Sequence, residues 1–279
     1  MFQPDLLKKK RVLITGGGSG LGKAMGRRLM ELGAELMICG RRKHVLDETA
    51  REFEALFSRK VHTHAIDIRS PDAVEELMDS AFAGGALDVL VNNAAGNFIA
   101  RTETLSHRAV DSILNIVLHG TAYCTLAAGK RWISQGHGGT VVSIVASYAW
   151  TGSPYVVPSA MAKAGVLAMT QSLAVEWGPK KIRTVAISPG TFPTPGAWDR
   201  LVPPSMAPTW ESSTPIGRVG EHEELGNLCA YLVSDQAAYI NGACITIDGG
   251  RWLQGAGMFS GLSRLSEAEW QEMRTRRSS

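Results

Sequence analysis

The sequence has no apolar run approaching the roughly 18 residues that a membrane-spanning helix requires. Its first residues, MFQPDLLKKKRVLITGG, contain no apolar signal core, and its last four, RRSS, are not a peroxisomal address. We therefore expect a cytoplasmic protein that has no membrane partner.

Cysteine and excess charge are also scarce. The 279 residues include four cysteines, which form no CxxC pair and show no metal-ligand spacing. We expect reduced thiols and no bound metal. The net charge of +3 is too small to indicate a nucleic-acid partner, although it suits an anionic cofactor or substrate. The cysteines are Cys39, Cys124, Cys229 and Cys244.

Short apolar runs alternate with longer amphipathic segments along the chain. This rhythm predicts an α/β fold, a Rossmann-type doubly wound parallel sheet of seven strands with helices on both faces. No linker or repeat interrupts it, so we expect one domain over residues 1–279. The predicted strands are RVLIT, ELMIC, VHTHAI, LDVLVN, GTVVSIV, IRTVAIS and ACITI. The predicted helices are 21–32, 43–57, 71–82, 107–134, 158–178 and 221–233.

Two segments depart from this rhythm. Residues 191–215 are rich in Pro and Ser, carry two Trp and follow a strand, so they form either a substrate lid at the carboxyl edge of the sheet or a plain surface loop. The tail at 251–279 ends in a predicted helix, which Ser266 and Glu269 open with the spacing of a capping box.

The first predicted strand runs directly into a glycine-rich turn that opens a helix. Glycine allows the tight turn and the close approach of backbone to a pyrophosphate, which then rests on the helix N-terminus. The spacing of Gly16, Gly20 and Gly22 therefore predicts a dinucleotide site. The residues of this turn are Gly16, Gly17, Gly18, Ser19, Gly20, Leu21 and Gly22.

The end of the second predicted strand indicates which dinucleotide is bound. An acidic residue there would favour NAD, but the chain has Gly40 followed by Arg41, Arg42 and Lys43. A guanidinium suits a 2′-phosphate, so we expect NADP(H), with Arg41 as the first choice for the contact and Arg42 as the second. The alternative is that these three cations only form the solvated start of a helix. That alternative is disfavoured, because cations are unfavourable at a helix N-terminus.

Three motifs now identify a resemblance. TGxxxGxG in the first turn, NNAAG at 92–96 and SPG at 188–190 resemble the short-chain dehydrogenase family. The resemblance implies that Asp67 borders the adenine and that Asn93 belongs to the cofactor site. It also implies cofactor contacts from the loop after the sixth strand, made by Pro189, Gly190, Thr191 and Phe192.

The proton chemistry of that family is altered here. Lys163 is kept, but Ser159 stands where the family has its proton-donating tyrosine. The assisting serine is Ala146, and the active-site asparagine aligns with Val117. Two polar groups on loops at the carboxyl ends of strands are able to compensate. They are Tyr148, with Tyr155 as a second candidate, and Asn97.

More specifically, NNAAGNFIA, IVLHGTAY, TGSPYVVPSAMAKAGV, SLAVEWG, INGA and IDGG resemble the 2,4-dienoyl-CoA reductases of β-oxidation, over nearly the whole chain. That resemblance implies that Tyr148 and Asn97 hold a thioester oxygen, that Lys163 binds the nicotinamide ribose and that Ser159 is accessory. It further implies a homotetramer and an acyl-CoA substrate. The implied coenzyme A contacts are Arg69, Phe98, Ser106 and Arg200.

Other functions remain open at this stage. The chain could reduce a simple enoyl thioester, a 3-oxoacyl thioester or another carbonyl, or it could bind NADPH without catalysis or act as a scaffold. The altered proton chemistry argues against a plain carbonyl reductase, and the intact glycine turn argues against a scaffold. His119 stands where human-type members of the family carry Asn.

Overall fold

A computed structural model describes residues 2–194 and 211–276. Seven strands form one parallel sheet in the order β3-β2-β1-β4-β5-β6-β7, which confirms the predicted doubly wound fold. The strands are β1 (Arg11–Thr15), β2 (Glu35–Gly40), β3 (Val61–Ala65), β4 (Val89–Asn92), β5 (Gly139–Ile144), β6 (Ile182–Pro189) and β7 (Cys244–Ile247).

Helices connect the strands and cover both faces of the sheet. They are α1 (Gly20–Glu31), α2 (Lys43–Phe57), α3 (Pro71–Ala83), α4 (His107–Ile113), α5 (Gly120–Gln135), α6 (Tyr148–Thr151), α7 (Val157–Trp177), α8 (His222–Val233), α9 (Arg251–Ala256) and α10 (Glu267–Arg276). Among the described residues, no helix is both long and apolar enough to cross a bilayer.

The core lies on both sides of the sheet because helices cover both faces, so the central strands read as continuous apolar runs. Val12 and Ile14 of β1 pack into one cluster with side chains of α1, α2 and α8. Leu13 points to the opposite face and packs with α3, α5 and α7, where Trp132 is fully buried.

The predicted helix over 107–134 is interrupted. A π-helical segment, Leu114–His119, joins α4 to α5. Such segments are frequent at functional sites. Val117 within it is buried with Ile113 and Ala162, and Gly120 lies so close to Ile68 that an added Cβ would be 2.7 Å from its side chain.

The strand order reverses between β1 and β4, and ligands of open α/β sheets bind in the crevice at this point, beyond the carboxyl ends of the strands. The glycine turn follows β1, and NNAAG follows β4. The fold therefore brings these two motifs to one edge.

In the tail, the Ser266–Glu269 capping box is confirmed, because the Ser266 amide donates to the Glu269 carboxylate at 2.7 Å.

Candidate active site

The turn between β1 and α1 has the backbone shape that its glycines allow. Gly16 and Gly20 take left-handed φ values of 67° and 55°, which disfavour other residues. No side chain caps the N-terminus of α1, and its first turn carries no acidic residue. Its N–H groups therefore form a cradle that suits an anionic pyrophosphate.

Asn93 holds this turn in place. Its Nδ2 donates to the Thr15 carbonyl at 3.0 Å and to the Gly16 carbonyl at 3.3 Å. A Cβ added to Gly22 would lie 2.5 Å from the same nitrogen. The spacing of the motifs did not show that Asn93 shapes the glycine turn through hydrogen bonds.

Two arginines extend into solvent at the start of α2. Arg41 and Arg42 are both exposed, and the first turn of α2 contains no acidic residue. An Nη atom of Arg42 lies 3.4 Å from the hydroxyl of Ser19, so this cation is directed toward the glycine turn. The cations at this helix N-terminus therefore suit an added anion.

Arg69 is paired with the carboxylate of Asp67. Its Nε donates to both Asp67 oxygens, at 3.0 and 2.9 Å, and the hydrogen bond to Arg69 lowers the pKa of Asp67. Arg41 lowers that pKa further by its charge. Asp67, which is predicted to border the adenine, and Arg69, which is predicted to contact coenzyme A, therefore lie side by side.

The loop after β6 packs against Asp248, which follows β7. A Cβ added to Gly190 would lie 2.5 Å from the Cβ of Asp248, so only glycine fits there. The ring of Phe192 is buried in the core. The sequence analysis missed Asp248, although the IDGG motif contains it.

Lys163 is buried on α7, and its ammonium donates to the carbonyl of Ile144 at the end of β5. Burial lowers the pKa of Lys163 from 10.5 to about 8. A buried ammonium with one carbonyl partner gains from further acceptors such as ribose hydroxyls.

The structure brings Tyr148 to Ser159. The phenol oxygen lies 3.1 Å from the serine hydroxyl. Burial raises the pKa of Tyr148, and the hydrogen bond with Ser159 opposes that shift. Tyr148 therefore remains a neutral hydrogen-bond donor at neutral pH. Ser159 and Lys163 are four residues apart on α7, so they share one face.

Two of the substituted positions of the family pattern, Val117 and Ala146, offer no replacement acid. Val117 is 1% exposed and lies in an apolar cluster with Ile113 and Ala162. Ala146 contributes only its carbonyl, which accepts from the amide of Ala149 and so helps to start α6. Among the four family positions, only Ser159 and Lys163 are able to donate a proton or a hydrogen bond from the side chain.

Asn97 lies on the exposed loop after β4. Its Oδ1 accepts from the Phe98 amide at 2.9 Å, so a donor role falls to Nδ2. The amide of Ala100 donates to the Tyr155 carbonyl at 3.0 Å, which joins this loop to the segment between α6 and α7. The side chain of Tyr155 is 57% exposed, unlike that of Tyr148.

The remaining predicted coenzyme A residues have different environments. Ser106 caps α4, where its hydroxyl accepts from the Ala109 amide at 3.2 Å. Phe98 packs beside the cluster of Ile113, Val117 and Ala162. Arg200 and most of the predicted lid lie outside the described residues.

Comparison with known proteins identifies the family. The family model described as enoyl-(acyl carrier protein) reductase matches residues 16–251. A Bacillus subtilis protein named probable 2,4-dienoyl-CoA reductase [(2E)-enoyl-CoA-producing] is 46% identical over 251 residues, which cover 88% of this chain and 98% of that protein.

Two solved structures share the architecture. A short chain dehydrogenase from Bacillus anthracis is 46% identical with a TM-score of 0.80, covering 88% of this chain and 97% of that one. A gluconate 5-dehydrogenase from Burkholderia cenocepacia, solved with NADP and tartrate, is 27% identical with a TM-score of 0.82, covering 88% and 96%. The chain belongs to the short-chain dehydrogenase/reductase family and is an oxidoreductase with a nicotinamide cofactor.

Proposed function

We propose that the protein reduces 2,4-dienoyl-CoA thioesters to enoyl-CoA with NADPH, as a step in the β-oxidation of unsaturated fatty acids. The observation that carries the proposal is the hydrogen bond between Tyr148 and Ser159, which places a neutral phenol beside the helix face of Lys163. The name of the Bacillus subtilis relative supports the same substrate class.

The chemistry of a conjugated thioester fits these groups. When bound, NADPH would supply a hydride to the far end of the diene. Negative charge then develops on the thioester oxygen, which needs hydrogen-bond donors more than an immediate proton. Tyr148 and Asn97 act as these donors, and one well-placed donor of this kind contributes about 3–4 kcal/mol. Water then donates a proton to a carbon atom of the dienolate that hydride transfer has formed.

A carbonyl substrate would make a different demand. Its alkoxide must receive a proton as the hydride arrives, and the phenol of Tyr148, with its raised pKa, is a weaker acid than an ordinary tyrosine. Ser159 is a still weaker acid. Reduction of a simple enoyl thioester is the second candidate, because it also places charge on a thioester oxygen.

NADPH rather than NADH is favoured by the start of α2. Arg41 and Arg42 are exposed there, and no carboxylate stands in the first helical turn to bind ribose hydroxyls. A 2′-phosphate would neutralise cations that a helix N-terminus otherwise disfavours.

For coenzyme A, we propose that Arg69 binds a phosphate at the rim of the site and that Phe98, Ser106 and Arg200 also contribute contacts. Arg69 already pairs with Asp67. Because both groups are partly exposed, exchange of this pair for a phosphate contact costs little.

We also propose a homotetramer. Helix α7 exposes apolar side chains on its outer side, where Met161 and Val175 are 52% and 80% exposed. Leu126 and Ile133 of the neighbouring α5 are exposed as well. Exposed apolar side chains grouped on one surface often mark a protein interface, so packing against another copy would cover this surface.

The function is tested by the oxidation of NADPH, followed by absorbance, with a 2,4-dienoyl-CoA, an enoyl-CoA and a 3-oxoacyl-CoA of equal chain length. We expect the highest kcat/KM with the dienoyl-CoA. A preference for the enoyl-CoA would establish the second candidate, and binding of NADPH without turnover of any substrate would establish a non-catalytic protein.

A further inference from the structure

The helix that carries Tyr148 is only four residues long. Helix α6 spans Tyr148–Thr151, and no side chain caps its N-terminus. Isolated helices of this length are not stable in water, so the position of α6 depends on what it touches. In contrast, Ser159 and Lys163 lie on α7, which has 21 residues.

Helix α6 packs with its inner side against α7. The phenol of Tyr148 meets Ser159, and Ala149 packs beside the apolar cluster of Val145 and Val166. On the outer side of α6, Trp150 is 41% exposed.

Trp150 stacks there on Trp252 of α9. The ring centroids are 5.2 Å apart and the planes are tilted by 33°, a distance at which aromatic pairs attract each other. The indole Nε1 of Trp252 is buried without a hydrogen-bond partner among the residues that the structure describes. The ring is therefore held by packing and not by a polar bond.

The backbone of Trp252 is fixed by a hydrogen bond to Asp248. Its amide donates to Oδ2 of Asp248 at 2.8 Å, while Oδ1 accepts from the Gly250 amide at 2.9 Å. Asp248 also packs against Gly190 in the loop after β6. A continuous series of contacts thus runs from that loop through the tail to α6.

We propose that Trp252 is a positioning residue that holds α6 through Trp150 and so keeps the hydroxyl of Tyr148 beside Ser159. The inference rests on the proposed function, because it assigns the phenol its role. It gives the segment after β7 a part in the reaction without contact with the substrate. A donor on a one-turn helix needs this outer support, whereas a donor on α7 would not.

The test uses Trp252→Ala, Trp252→Phe and, as a matched control, Leu253→Ala. Leu253 is the next residue of α9 and is 67% exposed. We expect Trp252→Ala to lower kcat for the dienoyl-CoA about 10- to 100-fold with the Kd of NADPH unchanged, since small misplacement of a catalytic group has effects of this size. Trp252→Phe and Leu253→Ala should retain most of the activity.

A double variant separates a positioning role of Trp252 from general destabilisation of the protein. In a Tyr148→Phe background, Trp252→Ala should cause less than about twofold further loss, because the two changes act on one group. An equal loss in both backgrounds, or an unchanged kcat in the single variant, would overturn the proposal.

Hydrogen exchange of the segment 146–152 provides a readout that does not depend on turnover. Its amides at Ala149, Trp150 and Gly152 are hydrogen-bonded within the segment. We expect faster exchange there in Trp252→Ala and not in Leu253→Ala, and unchanged exchange would overturn the proposal. If the wild-type protein does not reduce a dienoyl-CoA, the proposed function fails, while this exchange experiment still decides whether Trp252 holds α6.

Discussion

The phenol oxygen of Tyr148 lies 3.1 Å from the hydroxyl oxygen of Ser159, which joins a one-turn helix at the end of β5 to the first turn of α7. Ser159 occupies the sequence position of the family tyrosine. Tyr148, on a different helix, places its phenol next to that position.

This relationship predicts a modest effect of Ser159→Ala. Loss of one hydrogen bond should lower kcat about tenfold. The variant should also raise the pKa of Tyr148, since the bond to Ser159 lowers it. Steady-state kinetics and ultraviolet titration against Tyr148→Phe check the two effects. Complete loss of turnover with an unchanged Kd for NADPH would assign the proton donor to Ser159.

Tyr148 and Asn97 should act together on one oxygen. Tyr148→Phe is expected to lower kcat by about 10²–10³ and to change KM less, because the charge on the thioester oxygen develops only during hydride transfer. Asn97→Ala should have a similar effect, and the double variant should lose less than the product. Tyr155→Phe is the control. A wild-type kcat in Tyr148→Phe would transfer the role to Tyr155 or water.

Arg41 should distinguish the two cofactors. Arg41→Ala is expected to raise the Kd of NADPH at least about tenfold, the magnitude of a lost charge-assisted hydrogen bond, and to change the Kd of NADH little. Fluorescence titration with both cofactors measures this, with the exposed Arg51→Ala as a control on α2. An equal loss for both cofactors would contradict the assignment, and a selective loss in Arg42→Ala alone would move it to Arg42.

Lys163 should reduce the stability of the cofactor-free protein. Its pKa falls from 10.5 to about 8 on folding, so the unfolded chain binds the proton more tightly. Burial of the charged ammonium therefore lowers the free energy of unfolding by its full amount below pH 8, and this destabilisation disappears as the pH rises toward 10.5. Lys163→Met should therefore raise the free energy of unfolding at pH 7 by up to about 3 kcal/mol.

The pH dependence provides the check on this prediction. Urea unfolding at several pH values should show that the difference between wild type and Lys163→Met narrows above pH 8. The variant should also bind NADPH more weakly, because it lacks a cation near an anionic cofactor. A variant that is less stable than the wild type at pH 7 would contradict the burial argument.

The apolar side of α7 should support self-association. Val175→Glu places a charge on a side chain that is 80% exposed in the single chain, so it should reduce the molar mass measured by light scattering from that of a tetramer. Glu176→Gln, on the adjacent residue, is the control. A monomeric wild-type protein would contradict the proposal outright.

Short local patterns were enough to predict the sheet and the edge that binds the cofactor. Strand identity depends on local apolar runs, and the glycine turn depends on φ values that few other residues accept, so both are written in short stretches of the chain. The three family motifs then follow β1, β4 and β6, and the carboxyl ends of parallel strands share one edge.

Which side chains meet at that edge depends on packing between distant segments. The sequence offered Tyr148 and Tyr155 as alternatives, and packing places the half-buried Tyr148 beside Ser159 while Tyr155 stays exposed. It gave no sign that Trp252 supports α6 from more than 100 residues away. Contacts between distant segments depend on how each element packs on the sheet, which no local pattern encodes.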